Sequence, residues 1–290
     1  MKSSNPRHIQ TLLKDSRINI KKKYGQNFLI DGNILEKIIQ LSSLSANTFA
    51  IEIGPGLGSL TERLLPKVST LLAYEIDQDL IAILNNAFDD QKFHLIHDDV
   101  LKRDIDNDIE KIDENAHDVV VIANLPYYIT TPILMKCLED SKRIKRMVVM
   151  MQLEVARRIT AQKNTKDYNA LSIAVQYRAQ TAFGFKVPRN VFMPAPNVDS
   201  AVITLDFHQK YTHKVKNEPF FFQFIKACFR QRRKTLLNNL HTFLAVDKSR
   251  LTEALETLEI SPQSRAESLD LETFIIMSNY FYEIHQEEIK

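Results

Sequence analysis

Ile51-Glu52-Ile53-Gly54-Pro55-Gly56-Leu57-Gly58 joins a short apolar run, residues 48–53, to an amphipathic stretch, residues 57–65. An apolar run of that length reads as a buried strand, and apolar residues three and four apart read as one face of a helix. Glycine between them lets the backbone turn tightly and leaves its peptide atoms open to a ligand. The spacing departs from GxGxxG, because Gly54, Gly56 and Gly58 occupy alternate positions with Pro55 inside. The GK[ST] of a phosphate loop is missing too, since Gly58 is followed by Ser59 and Leu60.

Outward from this turn, strand-like runs at 70–75, 93–97, 118–123 and 146–151 alternate with helical periodicity, as at 78–87. Such alternation predicts an α/β fold: a doubly wound, Rossmann-like parallel sheet covered on both faces. Residues 181–187 and 198–207 alternate more strictly and flank a proline-rich loop, which predicts an added hairpin at the sheet edge. Residues 208–219 are polar and weakly patterned, a linker. From residue 220 the period is helical, with Asp247 and Asp270 placed as N-caps and Phe220, Phe221, Phe222 and Phe224 as core. The expected organisation is a domain at 1–207, the linker at 208–219 and a small all-α domain at 220–290.

Polar side chains fall where such a sheet binds ligands. Glu75 ends the strand after the glycine turn, 21 residues beyond Gly54, where an acid can accept ribose hydroxyls. Asp99 follows the third strand and Asn124 the fourth, so three polar groups at successive carboxyl ends line one crevice. Without a phosphate cradle beside them they suit a nucleoside carrying an amino-acid tail, which points to S-adenosyl-L-methionine as cofactor.

The most specific stretch is Asn124-Leu125-Pro126-Tyr127-Tyr128. It resembles the (D/N)PPY-type sequence of amino-group methyltransferases, and chemistry explains the residue types. The exocyclic amine of adenine is a poor nucleophile because its lone pair is delocalised into the ring. The Asn124 oxygen and the Leu125 carbonyl can accept both amine hydrogens and aim the lone pair at a methyl group. Pro126 restricts Leu125 and holds that carbonyl in place. Tyr127 offers a face on which an extruded base can stack.

Over nearly its whole length the chain resembles the ribosomal RNA adenine dimethyltransferases. The resemblance is also carried by Tyr24-Gly25-Gln26-Asn27-Phe28-Leu29, by Phe192-Met193-Pro194-Ala195-Pro196-Asn197-Val198-Asp199-Ser200-Ala201-Val202, and by the run from Phe229 through Arg230, Gln231, Arg232, Arg233 and Lys234 to Leu240. It implies that Asn27 and Leu29 close over the cofactor's methionine end and that Gly54 contacts it through the backbone. Glu75 would hold the ribose, Asp99 the cofactor adenine's amine, and Asn124 would bridge to the target amine. Phe192 would face Tyr127 so that the target base is sandwiched. Asn197 stands where the family commonly has lysine. The implied activity is dimethylation of two adjacent adenosines in the 3′-terminal hairpin of small-subunit ribosomal RNA, during assembly of that subunit. A resistance-type methyltransferase of large-subunit RNA is the closest alternative; the wording of 124–130 and 231–240 favours the small-subunit enzyme. A non-catalytic assembly or transcription factor on the same fold is the other, and the intact Asn27, Glu75, Asp99 and Asn124 argue against it.

Charge supports a nucleic-acid partner. Net charge is only +2, yet residues 1–23 carry seven basic side chains, Lys21, Lys22 and Lys23 among them, against one acid. Residues 211–240 repeat that ratio with Arg230, Arg232, Arg233 and Lys234 at its centre. Clustered lysine and arginine neutralise phosphates, and these seven named residues are the candidate RNA contacts. The acidic final forty residues read as a solvated helical surface. Cys137 and Cys228 lie far apart without CxxC, which argues against zinc or a disulfide framework and for two small buried hydrophobes. His94 and His97 read as polar positions at a strand end rather than metal ligands. No window is apolar enough to span a membrane and residues 1–14 lack a secretory pattern, so a soluble, cytoplasmic protein is expected. The partner expected is small-subunit ribosomal RNA, bound by a monomer.

Overall fold

A computed structural model of the chain describes residues 26–208, 210–211 and 214–288. Lys21, Lys22 and Lys23 lie outside the described residues, as do Tyr24 and Gly25 of the N-terminal signature. In chain order the first elements are β1 (Phe28–Leu29), α1 (Gly32–Leu41), β2 (Phe49–Ile53), α2 (Thr61–Leu64), β3 (Thr70–Glu75), α3 (Gln78–Ala87), β4 (Phe93–His97), α4 (Ile105–Ile112), β5 (Val119–Asn124), α5 (Thr130–Asp140) and β6 (Ile144–Gln152). Aspartates start three of these helices: Asp31, Asp77 and Asp104 accept backbone N–H groups of α1, α3 and α4 that have no partner within the helix. There follow α6 (Leu153–Ile159), α7 (Ala170–Gln176), β7 (Ala179–Val187), β8 (Phe192–Met193) and β9 (Ser200–Phe207), then α8 (Glu218–Cys228), α9 (Leu236–Leu244), α10 (Lys248–Thr257) and α11 (Leu271–Glu288).

Seven strands form one sheet in the order β4-β3-β2-β5-β6-β9-β7. β2 pairs in parallel with β3 on one side and β5 on the other, Ile51 standing opposite both Leu72 and Val121. β9 runs antiparallel to β6 and β7 lies outside it, so the expected hairpin strands do occupy a sheet edge. The chain winds outward from β2 to β4 and returns to β5, which puts the reversal of strand order, and the crevice it opens, beside β2. All five residues of β2 are buried, and its Ala50 face lies against Leu35, Ile38 and Ile39 of α1 and Leu60 and Leu64 around α2.

Two features differ from what the sequence predicts for this part. The helix expected at 57–65 is shorter, because Gly54, Gly56 and Gly58 all adopt positive φ (71°, 61° and 78°) and the turn consumes the residues before Thr61. The loop between β7 and β9 contains β8, which pairs antiparallel with β1: Phe28 opposite Met193, Leu29 opposite Phe192.

The chain divides into two compact units, and the boundary also differs. The described residues up to Ala156 join Thr181–Phe207, whereas Arg157–Gln180 joins the segment from His208 onward. Residues 157–180, expected in the first domain, are therefore part of the helical unit. The reason is long-range apolar contact: the Tyr177 ring meets Phe221 and Phe222, and Tyr168 meets Phe229. Polar bonds add to it, with Arg178 to Glu218 at 2.6 Å and Tyr168 to the Leu269 carbonyl at 3.0 Å. Asn217 caps α8 through the Phe220 N–H, so this helix starts at Glu218 rather than at residue 220. Phe220, Phe221 and Phe224 are buried as expected; Phe222 is only partly so. Asp270 caps α11 through Thr273, but Asp247 makes no capping bond. Both cysteines are free and buried.

Candidate active site

A cleft opens at the carboxyl ends of β2, β3 and β5. Asn27, Leu29, Gly54, Glu75, Asp99, Asn124, Leu125, Pro126 and Tyr127 all line it, so a set scattered over a hundred residues of sequence converges on one cavity. The β2–α2 turn provides its floor. A side chain built at Gly54 would meet no atom within 4 Å, so the backbone there faces open space of the kind a ligand fills. At Gly56 a Cβ would come within 3.2 Å of the Phe28 ring, which seats the N-terminal signature on the loop.

Glu75 is 5% exposed. Its Oε1 accepts the Ile76 and Asp77 N–H groups at 2.9 Å each, and Oε2 accepts the Gly56 N–H at 3.2 Å. A carboxylate has about four acceptor positions, so these bonds leave Oε2 able to take a further donor from the cleft. Burial nevertheless pushes its pKa up, the three N–H bonds opposing that shift. Asp99 spends Oδ1 on the Leu101 N–H at 3.0 Å as it caps the next turn. The Asn124 side-chain amide donates to the Asn27 carbonyl at 3.1 Å, which orients Oδ1 as an acceptor. Leu125 is held by its N–H on the Met150 carbonyl, 3.0 Å away. The half-buried Tyr127 ends in a hydroxyl 2.5 Å from Ser200 Oγ.

Among the described residues the lining holds Glu52, Glu75, Asp98 and Asp99 but no lysine, arginine or histidine. These acceptors, with no cation beside them among the described residues, disfavour a diphosphate and fit S-adenosylmethionine, whose sulfonium and ammonium are cationic and whose sugar and base offer hydrogen-bond donors.

Residues 17–283 match the family described as Ribosomal RNA adenine dimethylase. The chain belongs to that family. It is 47% identical over 278 residues to Ribosomal RNA small subunit methyltransferase A of Geobacillus sp. (strain WCH70), covering 94% of this chain and 96% of that protein. With the protein of the same description from Bacillus pumilus it shares 46% identity over 278 residues, 94% of this chain and 95% of that one. Among solved structures, a dimethyladenosine transferase from Plasmodium falciparum superposes with TM-score 0.76 at 24% identity, covering 89% of this chain and 98% of that one, a likeness of fold.

Of the catalytic and cofactor-binding candidates, Phe192 stands away from the cleft. Phe192 is 4% exposed and belongs to the core that includes Leu29, Ile38 and Leu60. It is not among the lining residues, because pairing of β8 with β1 turns its side chain into that core. The sandwich of the target base between Phe192 and Tyr127 is therefore not formed here. Asn197 is exposed, and its carbonyl accepts from the Arg189 guanidinium at 3.3 Å, so a cation does lie beside the position where the family commonly has lysine.

Arg230, Arg232, Arg233 and Lys234 are all exposed in the helical unit. Arg232 is also structural: it donates to the Lys166 carbonyl at 2.5 Å and lies 4.0 Å from Glu267. Sequence reasoning missed Glu52 and Gln26. Glu52 is 2% exposed and accepts from the Thr61 hydroxyl at 2.7 Å, and burial lifts its pKa to about 8. A lone acid inside the apolar run Phe49–Ile53 was the available signal. Gln26 donates to Asp77 at 2.8 Å, tying the N-terminal signature to the cap of α3.

Proposed function

We propose that the chain uses S-adenosyl-L-methionine to dimethylate the exocyclic amine of two adjacent adenosines in the 3′-terminal hairpin of small-subunit ribosomal RNA. It acts as a cytoplasmic monomer during assembly of that subunit. Family membership supports adenine dimethylation, and the small-subunit relatives at 46–47% identity favour that RNA over the large-subunit one. Among the described residues no helix is long and apolar enough to cross a membrane. The observation that carries the chemistry is the Asn124–Asn27 bond, since it fixes which atom of Asn124 is left to receive a donor.

When bound, the cofactor supplies a methyl group activated by positive sulfur. Glu75 Oε2 would accept from the ribose, Asp99 through its second oxygen would accept from the cofactor adenine's amine, and the backbone at Gly54 would hold the methionine portion. Asn27 and Leu29, which line the same cleft, would cover that portion. Asn124 Oδ1 and the Leu125 carbonyl accept the two hydrogens of the target amine and raise lone-pair density on its nitrogen. They also stabilise positive charge as it develops there, the usual role of preorganised dipoles. The target nitrogen would take up that methyl group with S-adenosylhomocysteine as the leaving group, and the proton lost from nitrogen would pass to water. No strong base is needed, because an N-alkylated adeninium is acidic. Tyr127 stacks on the extruded base, and Arg230, Arg233 and Lys234, with Lys21, Lys22 and Lys23, contact phosphates.

Labelled-methyl transfer to purified small- and large-subunit RNA, followed by primer extension, tests this reading. Stops at two neighbouring adenosines near the 3′ end of the small-subunit RNA are expected. A stop in the large-subunit RNA alone would replace the substrate, and cofactor binding without any RNA product would replace the enzyme reading by that of an assembly factor.

A further inference from the structure

Tyr127 follows β5 on a loop, where an aromatic ring is free to swing unless something holds its far end. Its hydroxyl lies 2.5 Å from Ser200 Oγ, and Ser200 is wholly buried at the first position of β9. That serine is itself fixed. It pairs with Gln152 across the β6–β9 ladder, and the Asp199 carbonyl before it accepts the Leu153 N–H at 3.0 Å. The Asp199 carboxylate is held from the other side by Lys186 at 2.7 Å and by the Arg189 N–H at 3.0 Å. The anchor is thus part of a strand paired within the sheet, while the ring it holds lines the cleft.

We infer that Ser200 is a positioning residue, holding the Tyr127 ring at the angle on which the target adenine stacks. The inference rests on the reading of the cleft as an adenine methyltransferase site. An aromatic platform holds a base by stacking, and a ring free to rotate loses part of that through entropy and misalignment. With Phe192 in the core, that ring is not opposite Tyr127, and the hydroxyl pair is what fixes the far end of the Tyr127 ring. Ser200 touches neither substrate nor cofactor; it acts through Tyr127.

The test uses the full chain and a short RNA hairpin from the 3′ end of small-subunit RNA, with 2-aminopurine at one target position for fluorescence and adenine for kinetics. Ser200→Ala and Tyr127→Phe each remove the same hydrogen bond, one from either side. Both are expected to lower kcat by roughly 2- to 10-fold, the worth of one such bond, and to lengthen the fluorescence lifetime of the bound probe as stacking loosens. Affinity for S-adenosylmethionine should not move, and the double variant should be no worse than either single one. If Ser200→Ala is impaired while Tyr127→Phe is normal, or if the two losses multiply, Ser200 serves the strand and not the ring, and the inference is overturned. Normal lifetimes and kcat in Tyr127→Phe overturn it even where Ser200→Ala does not fold. Failure of the wild-type protein to methylate the adenine hairpin would instead remove the reading beneath it.

Discussion

The Asn124 side-chain amide and the Asn27 backbone carbonyl, 97 residues apart in sequence, are joined by a hydrogen bond of 3.1 Å. One bond therefore links the loop after β5 to the N-terminal signature, both of which line the cleft. It also decides the orientation of Asn124, because an amide that donates through nitrogen presents its oxygen to the opposite side.

Asn124→Ala should lower single-turnover methylation by on the order of 100-fold, as for removal of one preorganised polar group aimed at developing charge. RNA affinity should hardly change. Asn124→Asp keeps an acceptor for the amine but sets a carboxylate against the Asn27 carbonyl, so it should weaken cofactor binding as well. Single-turnover rates at saturating RNA, with calorimetric titration of the cofactor, check both. A near-normal rate in Asn124→Ala would remove the residue from the amine site.

Glu75→Gln replaces an acceptor of three backbone N–H groups by an amide whose NH2 must face at least one of them. Losing charge-assisted bonds costs about 1.5–3 kcal/mol, roughly ten- to a hundred-fold in cofactor affinity. An unchanged dissociation constant would contradict the ribose assignment.

Glu52 should make stability fall with rising pH. Its folded pKa, about 8, lies above the ordinary value of 4.5 because burial disfavours the charge. The folded chain holds a proton there that the unfolded chain releases, so the contribution is fully present below pH 4.5 and is lost as pH rises through 8. Glu52→Gln keeps an acceptor for the Thr61 hydroxyl and carries no charge. Its melting temperature should gain on wild type more at pH 8 than at pH 5, and an equal difference at both would show that Glu52 does not titrate in this range.

Arg232 should separate from its neighbours. Arg233→Ala with Lys234→Ala should weaken RNA binding and reduce the log–log salt slope by about 0.9 for each duplex phosphate no longer neutralised, with little change in melting temperature. Arg232→Ala should lower the melting temperature too, since it loses the Lys166 carbonyl and Glu267. An unaltered salt slope in the double variant would take this segment out of the RNA surface.

What was legible in the sequence is what local pattern dictates. The strands Thr70–Glu75 and Phe93–His97 and the helix Gln78–Ala87 form where periodicity puts them, and the polar groups at strand ends meet because a parallel sheet brings those ends together. The failures share a cause in contacts between distant residues. Tyr177 belongs with Phe221, 44 positions on, and no pattern within 157–180 states that. Phe192 sits in the core because its strand pairs with Leu29, a register invisible from either segment alone. Glu52 was visible as an acid in an apolar run, but its consequence depends on how deeply the sheet buries it.

The most direct measurement is nucleoside mass spectrometry on the 3′-terminal fragment of small-subunit RNA taken from cells lacking the protein, before and after incubation with the purified chain and S-adenosylmethionine. Two N6,N6-dimethyladenosines are expected to appear in that fragment with wild-type protein, and none with Asn124→Ala over the same interval. An unmethylated fragment, although the wild-type chain binds the cofactor and the RNA, would contradict the assignment of this cleft as an adenine dimethyltransferase site.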